Sequence, residues 1–358
     1  MKIRDSNLEI LRIISIFLIL MLHTAALSKS EDIFSINAIV TRVISSFGNV
    51  GVTCFILISG YFGIKFKLDR FLYLVYLTSF YSLIVYLTNS FFYNHPLSYK
   101  LILENLFIVP LYKNWFITCY LIVFLISEYI DIFCSCLDRK TFRNLLIVLT
   151  VLFSFIPTIF NNPYYTVLYG GGKCLSYFLF LYIVGRYIQK YSIEVKNIKR
   201  LILIFTGNIV TMNVLNNVAS YFLKKNIVIY SMDCSPFILV NALILFLIFS
   251  NRKSYHSRII NYFSSSVVAV YLLDGARLSI DKWTVNLGSL KGSEITIWYI
   301  ILEVIIAFVI FMFFDKLRVY FLAKLEFLII NNVSRIILGI QQKLKLYNDK
   351  LLNSNKYL

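Results

Sequence analysis

Apolar residues recur along the chain in long runs separated by short polar stretches. Segments near 10–27, 46–63, 71–92, 115–133, 144–160, 174–189, 201–222, 236–250, 262–280 and 296–314 are predicted spans. Most reach the roughly 17–25 residues that a bilayer-crossing helix needs. Those at 174–189 and 236–250 are short. A further run over 101–112 is about a dozen residues long, which suits an interfacial or re-entrant segment better than a crossing. The predicted fold is all-α: a polytopic membrane helix bundle of about ten transmembrane helices.

Composition agrees. Of the residues 59% are hydrophobic and only 15% charged, too little charge to cover a soluble domain of this size. Gly and Pro are scarce, 13 and 5, which leaves little material for linkers. No internal repeat is visible. One membrane domain over 1–315 and a basic tail over 316–358 is the economical division.

The net charge of +17 would suit nucleic acid, but the basic residues gather on no single face. They sit between apolar runs. Lys2 and Arg4 open one set, followed by Lys65, Lys67 and Arg70, then Arg139, Lys140 and Arg143. Arg186, Lys190, Lys196, Lys199, Arg200, Arg252, Lys253, Arg258 and the tail complete it. The opposite loops hold fewer: Lys29, Arg42, Lys100, Lys113, Lys173, Lys224, Lys225, Lys282 and Lys291. The excess of Lys and Arg predicts that both termini are cytoplasmic, with an even number of spans. Lys2 and Arg4 before an apolar stretch resemble a signal peptide, yet Glu9 and Arg12 interrupt it and no small-residue cleavage site follows. The tail spaces Leu, Ile and Phe loosely at helical intervals, which predicts an amphipathic helix on the inner membrane surface, with a solvated basic tail as the alternative. The six Cys read as small core hydrophobes, and none has zinc-ligand spacing with a nearby His. No metal site is predicted.

The first span carries the candidate chemistry. Arg12 and His23 are eleven residues apart, about 20° from three full turns, so they share a helix face with roughly 16 Å of rise between them. Arg12 could snorkel to the headgroups, and His23 could be a packing histidine. Ionisable groups inside a span are costly, however, and a same-face pair favours function. His95 and His256 read as loop residues. Asp274 and Arg277, three apart, read as an ion pair on one face; the sharper reading has Asp274 orienting an acceptor hydroxyl.

RIISIFLILMLH, from Arg12 to His23, resembles the Arg-x10-His signature of the acyltransferase 3 family of membrane enzymes. FILISGYF, from Phe55, resembles its F-x-x-x-S-G element, with Lys65, Lys67 and Arg70 following. NWFITCYL at 114–121 is similar to the opening of a middle span, SYFLFLYIVGRYI at 176–188 to a later segment, and VVAVYLLD at 267–274 to a late element that usually ends in His. The likeness spans roughly residues 7–315. Asp274 stands where that His is common, and Glu128 where many members have Pro.

The resemblance implies transfer of an acetyl or other acyl group from cytoplasmic acyl-CoA, a donor substrate and not a bound cofactor, to a hydroxyl. The acceptor would be a cell-surface polysaccharide or its lipid-linked precursor, the location a bacterial plasma membrane. A small-molecule or lipid acceptor stays open, and a lipid-linked glycan transporter is the rival class. His23 would act as general base or as acyl carrier. Arg12, with Lys65, Lys67 and Arg70, would hold the donor phosphates. Ser59, Gly60 and Tyr61 would wall a pocket beside His23, unless the small residues only bring helices close. Trp115 and Tyr120 read as an aromatic belt or as a sugar-stacking surface, and Gly170, Gly171 and Gly172 as a flexible turn.

Overall fold

The computed structural model describes residues 5–27, 34–93, 96–160, 170–279 and 296–354. The molecule is all-α. Its helices are α1 (Ser6–Leu27), α2 (Ile36–Phe62), α3 (Leu68–Tyr93), α4 (Tyr99–Leu106), α5 (Trp115–Cys136) and α6 (Arg139–Thr150). A π-helical turn, Val151–Phe155, joins α6 to α7 (Ile156–Ile159). Then come α8 (Leu175–Tyr191), α9 (Ile198–Leu223), α10 (Pro236–Ser250), α11 (Arg258–Ser264), α12 (Val267–Ser279) and α13 (Thr296–Ser354). Eight segments among the described residues are long and apolar enough to cross a membrane. The predicted spans at 174–189 and 262–280 fall on shorter helices, α8 and the α11–α12 pair.

Start signals are local and chemical. Ser35, Asn114, Asp138, Asn197, Ser235 and Ser257 each accept a backbone N–H of the following helix, which satisfies a donor that has no intrahelical partner. Pro236 at the first position of α10 costs nothing, because its missing N–H would have been unpaired anyway. Pro157 has the opposite effect. Inside a helix it removes a ladder hydrogen bond, and the π turn lies immediately before it.

Helix α1 is the hub, in contact with α2, α10, α11, α12 and α13. Its first residues are pinned to the 253–257 loop: Ser6 N–H donates to the Tyr255 carbonyl at 3.0 Å, and Asn7 Nδ2 to the Lys253 carbonyl at 3.0 Å. Helix α2 runs antiparallel to it at close range. A Cβ on Gly51 would lie 2.4 Å from the Ser15 carbonyl oxygen, and one on Gly48 2.5 Å from the Leu22 Cβ. The α2–α8 crossing is as tight, since Gly60 meets the Tyr182 backbone and Gly185 meets Leu57 and Tyr61. Glycines thus set the approach of the three central helices.

Helix α2 begins ten residues before the predicted 46, and Arg42, read as a loop charge, is wholly buried within it. Its guanidinium donates at 3.0 Å to Asn217 Oδ1 and to Asn226 Oδ1, so polar partners inside the protein replace water. Helix α13 runs through 315–316 without a break and is 59 residues long. At about 1.5 Å per residue that far exceeds a bilayer core of about 30 Å. Its Arg318 donates to Asp315 Oδ1 at 2.9 Å, to Glu326 and to the Tyr73 and Tyr81 hydroxyls of α3. The first turns of the segment read as a tail are therefore docked on α3.

Candidate functional site

The site forms where α1 and α12 meet. His23 Nδ1 and Asp274 Oδ2 are 2.6 Å apart. The carboxylate side chain is 1% exposed and the imidazole 33%, so the acid is sealed while part of the ring stays open. One turn before Asp274, the Tyr271 hydroxyl reaches Asn114 Oδ1 at 3.4 Å, and its ring lies 5.1 Å from Phe116. The N-terminal end of α5 is thereby tied to the His23–Asp274 pair. The side chain of Arg277, expected as the partner of Asp274, lies outside the described residues.

Two loops close the other side. Helices α8 and α10 are only 17 and 15 residues long, about 25 and 22 Å. Short 3-10 turns, Gly170–Gly172 and Ile229–Ser231, followed by irregular backbone lead into them, and such backbone is tolerated at membrane depth only where protein or a cavity surrounds it. Gly172 is not a flexible turn residue. It is buried at φ 93°, and a Cβ there would lie 2.5 Å from Cys234 N and 2.7 Å from Asp233 Cβ. Cys234 N–H donates to the Gly171 carbonyl at 3.3 Å, and the Ser154 hydroxyl of the π turn to the Cys234 carbonyl at 2.6 Å. Asn49, next to Gly48 and so level with Leu22, donates to the Ser231 carbonyl. These bonds set Asp233 beside the His23 end of α1, within electrostatic reach of His23 and Lys173. Lys173 also stands over the Trp115 ring, 5.8 Å from its centroid.

An acyltransferase domain model matches residues 5–314, most of the chain. The chain belongs to the acyltransferase 3 family. No curated protein and no solved structure matches it significantly. It is an acyltransferase and an integral membrane protein by that membership and by its apolar helices.

Within this acyltransferase 3 chain, the remaining expected site residues divide between two ends of the bundle. Arg12 pairs with the buried carboxylate of Glu9. Antiparallel packing puts Ser59, Gly60 and Tyr61 near the Arg12 end, since Gly48 and Gly51 already lie opposite Leu22 and Ser15. They therefore wall no pocket beside His23. The Ser59 hydroxyl donates to the Phe55 carbonyl of its own helix at 3.0 Å, Gly60 is the α2–α8 contact, and Tyr61 packs edge-on against Phe246. Trp115, half-buried at the start of α5, packs edge-on against Phe116 and Phe178, and Tyr120 lies parallel to Phe116.

Lys65 and Lys67 are exposed on the segment that links α2 to α3, and Arg70 in the first turn of α3. Glu128, at the position where the family often has Pro, accepts from Phe66 N–H at 3.2 Å and braces this segment. Arg70 lines a pocket of about 370 Å³ with Asp69, Tyr73, Glu326 and Asn331. His256 is exposed and meets Asn261, while His95 lies outside the described residues. Sequence reasoning missed Asp233 and Lys173. The signal available was the shortness of the 174–189 and 236–250 runs, which marks where loops replace helix.

Proposed function

We propose that the chain is a membrane O-acyltransferase that moves an acyl group, acetyl in the simplest case, from cytoplasmic acyl-CoA to a hydroxyl of a cell-surface polysaccharide or its lipid-linked precursor. The observation that carries the reading is the 2.6 Å contact between His23 and a sealed Asp274 in a chain of this family. A carboxylate at Nδ1 holds the hydrogen there and leaves the Nε2 lone pair free. Nε2 then takes the acceptor's hydroxyl proton as its oxygen attacks the thioester carbonyl. Asp274 stabilises the imidazolium that forms, and the proton passes to the departing CoA sulfur as the C–S bond breaks.

In this reading ten segments cross a bacterial plasma membrane, α8 and α11–α12 included, with both termini cytoplasmic. Arg12 binds the donor phosphates, assisted by Lys65, Lys67 and Arg70. Ser59, Gly60 and Tyr61 line the donor's path, and Trp115 and Tyr120 belong to the acceptor side. The test is transfer of labelled acetyl from acetyl-CoA in isolated membranes. His23→Ala should abolish it with the protein inserted at wild-type level; undiminished transfer would overturn the assignment. In a deletion strain, loss of O-acyl signals from a surface glycan of normal amount supports the enzyme, whereas loss of the glycan supports transport.

A further inference from the structure

Asp233 has no place in the chemistry just described, yet its position is costly. Its side chain is buried, at 2% exposure for the residue. Among the described residues no donor reaches its Oδ1. A buried carboxylate oxygen without a donor forfeits its hydration with nothing in return. The fold nevertheless fixes it there, with Gly172 against its Cβ and Cys234 held on both backbone sides by Gly171 and Ser154. Its charged neighbours are His23 and Lys173. Lys173 is exposed and stands over the Trp115 ring, and no hydrogen bond or ion pair to Asp233 is seen for it among the described residues.

We infer that Asp233 is an acceptor-binding carboxylate, one that takes a hydrogen bond from a hydroxyl next to the hydroxyl being acylated. The inference rests on the acyl-transfer reading above and narrows its acceptor to a polyol such as a sugar ring. His23 Nε2 takes the reacting hydroxyl's proton, so the hydroxyl that satisfies Asp233 is a neighbour on the same molecule. Two fixed points, one at each hydroxyl, decide which position receives the acyl group. A simple alcohol would satisfy only the first.

The test uses the full chain in a deletion strain, with the cell's own surface glycan as acceptor and NMR to locate the O-acyl group. Wild type should place it on one hydroxyl. Asp233→Ala should lower total acylation by about tenfold and spread it over neighbouring positions. Asp233→Asn, isosteric and a weaker acceptor, should spread it partially and carries the test if the alanine variant fails to fold. Asp233→Glu should restore the single position. Folding is checked by membrane abundance and thermal melting. Folded Asp233→Ala and Asp233→Asn variants that acylate the wild-type hydroxyl alone, at whatever level, would overturn the inference, as would a folded Asp233→Asn protein with no acylation at all. A wild-type glycan without any His23-dependent acyl group would instead sink the acyl-transfer reading itself.

Discussion

His23 Nδ1 and Asp274 Oδ2 lie 2.6 Å apart although 251 positions separate them in the chain. The pair joins the Arg-x10-His stripe to the late family element at its one departure, the Asp that stands where His is common. An acid at this point fixes the ring's tautomer, which a second imidazole does less strongly. Asp274→Asn keeps the shape and loses the charge. Acyl transfer should fall by about two to four orders of magnitude in kcat, with the acyl-CoA KM within twofold of wild type. Steady-state transfer in membranes measures both. A variant within threefold of wild type in kcat would show that Asp274 is a packing residue.

Much of this was legible in the sequence, and the failures have physical causes. Hydropathy runs located the helices because lipid leaves few alternatives to a continuous apolar helix. They misplaced the start of α2, because Arg42 reads as a loop charge unless Asn217 and Asn226 are known to receive it. Helical spacing brought Arg12 and His23 to one face, but it carries no information about other helices. The contact between His23 and Asp274 was therefore missed, and Ser59 was put beside His23 although the antiparallel crossing sends it to the other end. Asp233 was invisible, since a lone acid in a loop has no period.

Gly60 offers a test of the helix crossing. A Cβ there would lie 2.3 Å from the Tyr182 carbonyl oxygen, and backbone cannot yield as a side-chain tip can. Gly60→Val should cost about 1–3 kcal/mol or more and lower the melting temperature in detergent. Gly207→Ala is the control, because nothing lies within 4 Å of its Cβ and alanine favours helix. Equal melting of the two variants would remove the close crossing from the account.

The ion cluster between α3 and α13 predicts a stability effect away from the site. Arg318 holds Asp315 and Glu326, both buried, with two tyrosine hydroxyls. Arg318→Met strands two carboxylates and should cost about 3–5 kcal/mol. Adding Asp315→Asn and Glu326→Gln to that variant removes the stranded charge and should recover most of the loss. Thermal melting of the single and triple variants decides it. No recovery in the triple variant would mean that the cluster's worth lies in shape, not charge compensation.

Arg12 separates donor binding from the chemistry at His23. A guanidinium offers five N–H donors, and among the described residues it meets Glu9 through Nη1 alone. The other donors are available to phosphate oxygens in bidentate pairs. Arg12→Ala should raise the acyl-CoA KM by about tenfold, the loss expected for one charge-assisted contact, and leave the acceptor KM unchanged. Arg12→Lys should recover only part, because an ammonium cannot form the paired bonds. Glu9 is fixed and buried beside it, so the guanidinium is held in place before the donor arrives, and Glu9→Gln should weaken donor binding less than Arg12→Ala. If Arg12→Ala instead lowers kcat with both KM values unchanged, the guanidinium acts on the reacting atoms, and the donor's phosphates are bound elsewhere at the exposed Lys65, Lys67 and Arg70.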